Sequence, residues 1–167
     1  RALNNLQNRS YIVTQSLKKI KGHLKEWALS TDGWHTINSN TTINLEDIDN
    51  SSSNETVFYK ERWIKENGME QRLIVSYSPK YAAYQKNIRN GQVIRAENMI
   101  EKPSSVTKKK INDPKRFISS TYITGDGEIA DSKKLTLNIE AINEEAMFDG
   151  FYAVCTTLED DIEEIIK

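Results

Sequence analysis

Thr56-Val57-Phe58-Tyr59-Lys60-Glu61-Arg62-Trp63-Ile64, then Lys65-Glu66-Asn67-Gly68, then Gln71-Arg72-Leu73-Ile74-Val75-Ser76-Tyr77 is the stretch that decides the fold. Both arms are rich in β-branched and aromatic residues, and Asn67-Gly68 supplies the positive φ angles of a tight turn, so the segment predicts an antiparallel hairpin. Ser78-Pro79 follows at once, a helix N-cap and then the one helical position where proline is welcome. Pro103 marks the far end, which gives one long helix over 79–102. Tyr81, Tyr84 and Ile88 form one apolar stripe on it and Val93, Ala96 and Ile100 another, with Gly91 between them as a point of slip or bend. Hairpin followed by long helix places the chain in the α+β class.

Upstream, Ser10 to Gln15 reads as a short strand, and the polar run Arg1 to Asn8, with Leu3 and Leu6 three apart, as a helical lead into it. Leu17, Ile20, Leu24, Trp27 and Ala28 recur at helical spacing with Lys18, Lys19, Lys21 and Lys25 on the other faces, which predicts an amphipathic helix ended by Ser30-Thr31-Asp32-Gly33. Asn38 to Glu55 has the composition of surface loops and short extended pieces, with Asn50 to Asn54 as a mobile tip. Downstream, Ser104 to Arg116 is a polar connector. Phe117 to Ile123 and Glu128 to Leu137 predict a second hairpin about Thr124-Gly125-Asp126-Gly127, its second arm interrupted at Ala130 to Lys134. A short helix through Ala141 to Met147 leads to Phe151-Tyr152-Ala153-Val154-Cys155, which lacks alternation and so predicts a strand buried on both faces. Ile162, Ile165 and Ile166 give a last helix, with Glu159-Asp160-Asp161 in its first turn and Thr156-x-x-Glu159 as a capping box.

The bulk numbers exclude much. At 167 residues the chain can bury a core without disulfides. With 23 basic and 24 acidic side chains it has no net pull toward nucleic acid, so any basic patch must come from position. No apolar run approaches the roughly 18 residues that span a bilayer. Cys155 stands alone with His23 and His35, too few for a disulfide or a structural zinc, which points to a reducing compartment. The chain begins at Arg1 without an initiator or a secretory leader and stops two turns into a helix, so it reads as an interior slice of something longer.

No self-sufficient catalytic motif occurs: no phosphate loop, no G-x-S-x-G, no H-E-x-x-H. His23 and His35 read as surface or packing residues, Cys155 as a small apolar group, Asp149 before Gly150 as a turn residue, and Asp126 as a hairpin tip. Basic side chains remain. Lys18, Lys19, Lys21, Lys25, Lys108, Lys109, Lys110, Lys115 and Arg116, with Lys80, Lys86, Arg89 and Arg95 on the long helix, have the charge and reach to follow phosphates. Of the aromatics that could stack on bases, Trp27 belongs to an apolar stripe and Trp34, beside a glycine turn, reads as the freest of Trp27, Trp34 and Trp63.

Ser76-Tyr77-Ser78-Pro79-Lys80-Tyr81-Ala82 opening a long helix, and Glu144-Glu145-Ala146-Met147-Phe148-Asp149-Gly150-Phe151-Tyr152-Ala153-Val154-Cys155-Thr156, resemble the middle of bacterial insertion-sequence transposases of the DDE type, in the insertion-sequence-four superfamily. Ser10 to Ser16 followed by a lysine-rich segment is similar too. The resemblance implies a ribonuclease-H-like core in which two aspartates and a glutamate hold Mg²⁺ or Mn²⁺. It places the second aspartate in an Asp-x-Gly motif ahead of this chain and the glutamate in a helix beyond it. No catalytic or metal residue is therefore carried over to this sequence, Asp149 included. By the same resemblance, residues 1–30 end the core as strand plus helix and 31–147 form a mainly antiparallel β insertion with the helix 79–102. Residues 148–167 return to a core strand and the start of the glutamate helix. The implied function is DNA transposition by the parent, a homodimer on transposon ends in the bacterial cytoplasm. This part would contact DNA or the partner subunit. The residues by themselves also allow an independent nucleic-acid or protein binding module, or a small metal enzyme built on Asp149.

Overall fold

The computed structural model describes residues 10–37, 39–66, 68–102, 113–123 and 132–166. In chain order these form β1 (Ile12–Thr14), a 3₁₀ turn (Leu17–Lys19), α1 (Gly22–Leu29), β2 (Trp34–Thr36), β3 (Ser39–Ile43), β4 (Phe58–Glu66), β5 (Met69–Tyr77) and α2 (Pro79–Glu101). A second 3₁₀ turn (Pro114–Phe117), β6 (Ile118–Ile123), β7 (Ser132–Leu137), α3 (Ile139–Ala146), β8 (Phe151–Thr156) and α4 (Ile162–Ile166) complete the list. The class is α+β with a mainly antiparallel sheet. Two compact units divide it: the described residues up to Tyr84 with those from Phe148 onward, and Gln85–Met147.

The first unit is a six-stranded sheet in the order β1-β8-β5-β4-β2-β3, every pairing antiparallel. The β4–β5 hairpin forms as its sequence predicts, in unbroken register from Phe58 opposite Tyr77 to Glu66 opposite Met69, and Gly68 at the turn has φ +81°. β8 lies between β1 and β5, so segments expected in the core and segments expected in the insertion share one sheet. Alternation sorts the side chains. Phe58, Leu73, Val75, Ala153 and Cys155 point to one face and pack with Leu17, Ile20, Ala28, Trp34 and Leu45, while Ile74 and Val154 point to the other and meet Ile162 and Ile165 of α4. β8 is thus buried on both faces over Ala153 to Thr156, and only Tyr152 stays exposed.

Several expectations are corrected. The segment Leu17 to Ala28 is not one helix. Ile20 (ψ 141°) and Lys21 (ψ 163°) are extended and Gly22 opens α1 at φ +59°, a left-handed angle that no continuous right-handed helix accommodates. The break lets both Leu17 and Ile20 reach the core. Trp34, read as the freest tryptophan, is fully buried, ringed by Tyr77 and Phe151 at 6.3 and 5.8 Å, whereas Trp63 is 51% exposed. Trp34 lies on β2 beside β4, and its alternation puts it on the core face. The capping box at Thr156 does not form: Thr156 ends β8, donating its hydroxyl to the Tyr11 carbonyl at 2.6 Å, and α4 starts at Ile162, beyond Glu159-Asp160-Asp161. Finally, β7 already runs at Ser132, with Lys133 and Lys134 in the ladder opposite Tyr122 and Thr121. The turn 124–127, Pro103 and the lead at 1–8 lie outside the described residues.

In the second unit Ala96, Phe117 and Ile118 make a small core with Val93, Met99, Ile100, Leu135, Leu137, Ala141 and Ile142. The second apolar stripe of α2 therefore faces this core, with Ala96 buried and Val93 and Ile100 half-buried against it. The first is not buried, for Tyr81, Tyr84 and Ile88 are all exposed, Tyr81 stacking on Tyr84. α2 runs through Gly91 without a break, opened by Ser78, whose hydroxyl oxygen accepts from the Tyr81 N–H at 3.3 Å. α3 starts two residues earlier than its apolar pattern suggests because Asn138 caps it, accepting from the Ala141 N–H at 3.1 Å.

Gly150, just before β8, has φ +82°, and a Cβ there would lie 2.7 Å from Tyr77 Cε2, 2.8 Å from Ala82 Cβ and 2.9 Å from the Ser78 carbonyl oxygen. Gly33, at φ +78°, has open space around it. Gly150→Ala should cost roughly 3 kcal/mol from the left-handed angle and overpacking together, and Gly33→Ala only about 1 kcal/mol. Urea unfolding measures both, and equal losses would show that the close approach at Gly150 does not matter.

Candidate nucleic-acid interface

The basic residues marked in the sequence separate into groups with different surroundings. Lys18, from the 3₁₀ turn, and Lys25, from α1, hold their ammonium groups 5.6 and 5.1 Å from the ring centre of Phe148, a cation–π geometry. Lys19 and Lys21 lie on the two sides of the break between the 3₁₀ turn and α1. They line a cavity of about 340 Å³ with Gln15, Ile20, Leu24, Ile64, Lys65 and Glu66. No described residue forms an ion pair with Lys19, Lys21 or Lys65. Lys65 is a member that sequence reading missed. It sits at the end of β4, and only strand register brings it beside the lysine-rich segment.

Lys115 and Arg116 are placed otherwise. Lys115 is buried, its ammonium 3.9 Å from an Asp113 carboxylate oxygen. Arg116 donates from Nε and Nη2 to the two oxygens of Glu145 at 2.7 and 3.0 Å, from Nη1 to the Asp113 carbonyl at 3.0 Å, and also to Gln92, while its plane lies 4.1 Å from the Phe117 ring centre. Its guanidinium joins α2, the Pro114 turn and α3 inside the second unit, and little of that charge faces water. Lys108, Lys109 and Lys110 lie outside the described residues. On α2, Lys80 pairs with Glu55, and Arg89 is buried.

Sequence reading also missed Lys60. It is 3% exposed and donates to the Ser30 carbonyl at 2.8 Å, the Ser30 hydroxyl at 2.9 Å and the Asp32 carbonyl at 3.4 Å. Its ammonium also stands 4.4 Å from the ring centre of Trp34 and 5.2 Å from that of Trp27. Ser30 caps α1, so this cation meets the negative end of the helix. Strict alternation through Phe58, Lys60, Arg62 and Ile64 was the available signal, since it puts Lys60 on the same face as Phe58. Burial pushes the Lys60 amine down to about 8, with nearby Asp32 pulling the other way. Lys60 also borders a cavity of about 350 Å³ with Trp27, His35, Tyr59 and Glu61.

The remaining candidates keep quiet surroundings. His23 is exposed and bonded to Glu26 at 3.1 Å, and His35 tilts against Tyr59. Burial pushes the Cys155 thiol up to about 11, with Glu66 adding to it, which keeps the group a neutral apolar filler. Asp149 sits in the turn before Gly150. No group of three or more His, Cys, Asp or Glu side chains among the described residues could hold a metal ion, and no described helix is long and apolar enough to cross a membrane. No protein-family model, curated protein or solved structure matches the chain.

The Lys60 environment has a pH signature. A lysine whose folded value of about 8 lies below its ordinary 10.5 leaves the unfolded chain holding more protons between those values, so its contribution to stability rises with pH across that window. Cys155 acts oppositely, but only above its ordinary value of 9.0. Between about pH 8 and 9 the wild type should therefore gain on the order of 1 kcal/mol over Lys60→Met in urea unfolding. Parallel curves for the two proteins would refute the buried-cation assignment.

Proposed function

We propose that the chain is the non-catalytic central part of a DDE transposase, contributing DNA or partner contacts to an enzyme that cuts and joins DNA. One observation carries the reading. The two stretches that resemble that family, Ser76–Ala82 and the part of Glu144–Thr156 from Phe148 onward, lie far apart in sequence and fold directly against each other. Tyr77 pairs with Phe151 across β5 and β8, the Ser78 N–H donates to the Gly150 carbonyl at 3.0 Å, and Gly150 packs against Tyr77 and Ala82. The resembling residues thus build a junction of the scaffold, which suits a segment whose parent keeps its chemistry elsewhere.

In this reading β1, α1 and β8 belong to the edge of a ribonuclease-H-like core, and the hairpins and α2 to the insertion beside it. Mg²⁺ or Mn²⁺ would be held by acidic residues of the parent outside this chain, and would stabilise charge on the attacking and departing oxygens. What this chain's residues do is hold the scaffold and present cations to phosphates. The parent acts as a homodimer on transposon ends in the bacterial cytoplasm.

The test is direct. Purified chain incubated with supercoiled DNA and Mg²⁺ or Mn²⁺ should leave it intact. Metal-dependent nicking that disappears in Asp149→Ala would replace this reading with that of a small metal enzyme. The parent reading frame should supply Asp-x-Gly shortly before Arg1 and a glutamate-bearing helix soon after Lys167. A gene that lacks both would leave an independent binding module as the reading that stands.

A further inference from the structure

We propose that the cavity between the 3₁₀ turn, α1 and the end of β4 is a sugar–phosphate site, in which Lys19, Lys21 and Lys65 grip the backbone of one DNA strand. The inference rests on the DNA-contact reading above and narrows it to one surface.

The geometry is specific. Lys19 ends the 3₁₀ turn, Lys21 precedes Gly22, and Lys65 comes from a strand more than 40 positions along the chain; all are exposed, and all border the same opening of about 340 Å³. Had Leu17 to Ala28 been one helix, Lys19 and Lys21 would project about 200° apart. The extended residues Ile20 and Lys21 bring them to one lip instead. Ile20, Leu24 and Ile64 give the lining an apolar part, which suits a deoxyribose ring, while the exposed Lys19, Lys21 and Lys65 suit the phosphates that flank it.

The charge balance supports the choice. Among the described residues, Glu66 is the one acidic side chain lining the cavity, and it accepts from the Gln71 amide at 3.3 Å. α1 has no acidic residue in its first turn to offset the lysines. Four of the other marked cations have neighbours of their own: Lys18 and Lys25 lie over Phe148, Lys115 beside Asp113, and Arg116 on Glu145. Three like charges held around one opening repel one another, and an anionic strand relieves that repulsion while releasing its counterions.

Fluorescence anisotropy of the 167-residue chain with a labelled mixed-sequence duplex, over a series of salt concentrations, tests this. The triple variant Lys19→Gln, Lys21→Gln, Lys65→Gln should bind at least about tenfold more weakly near 0.1 M salt and lose roughly 2.7 from the log–log salt slope, about 0.9 for each phosphate contact removed. Lys18→Gln with Lys25→Gln should change the slope by less than about 1, and Glu66→Gln should tighten binding. Circular dichroism checks that each variant is folded. Binding that is salt-dependent in the wild type yet unchanged in the triple variant would overturn this site and leave the broader DNA reading standing. No binding by the wild type at low salt would overturn both. Equal binding of polyglutamate with the same variant dependence would assign the patch to an acidic protein partner and overturn the sugar–phosphate assignment.

Discussion

The pairing of β5 with β8 is the constraint on which the first unit depends. It runs from Arg72 opposite Thr156 to Tyr77 opposite Phe151 and closes a chain excursion that contains the whole second unit. Closing so long a loop has an entropic cost that grows slowly with length, so a short, dense set of contacts can hold it. Leu73, Val75, Ala153 and Cys155 supply those contacts on one face and Ile74 and Val154 on the other. Gly150 makes the junction possible, because Tyr77, Ala82 and Ser78 occupy the space where any Cβ would stand.

Around that ladder the structure separates cations by what surrounds them. Lys60 is accommodated in the core because its ammonium finds carbonyl and hydroxyl acceptors on Ser30 and Asp32 and two indole rings, which offset part of its desolvation; the remainder lowers its pKa to about 8. Arg72 is also buried; it pairs with Glu61 and donates to the Asp160 carbonyl at 2.7 Å, tying β5 to the approach to α4. Arg116 does the same within the second unit through Glu145 and Asp113. These residues use charge as structure. Lys19, Lys21 and Lys65 differ from them: they stand exposed around one opening, and no described residue forms an ion pair with them.

Local signals were legible where the chemistry of neighbours in sequence decides the outcome. The hairpin that turns at Gly68, the start of α2 at Ser78-Pro79, the core-facing stripe Val93-Ala96-Ile100 and the two-faced burial of β8 all follow from turn chemistry, capping or periodicity. The failures share a cause. Leu17 to Ala28 has helical spacing, but spacing does not weigh the left-handed angle taken up at Gly22 against the gain of seating both Leu17 and Ile20 in the core. Gly33 gives Trp34 the local signature of a turn residue, but its burial comes from β4, Tyr77 and Phe151.

The sequence by itself determined the α+β class, most strands and helices, and which cations existed to be placed, because propensity, capping and alternation act over a few residues. Tertiary structure alone decided that Lys115 is buried, that Arg116 binds Glu145, and that Lys65 joins Lys19 and Lys21 around one cavity. The environment of a charge is set by residues brought in from elsewhere in the chain through register and packing, and no local pattern encodes those distances.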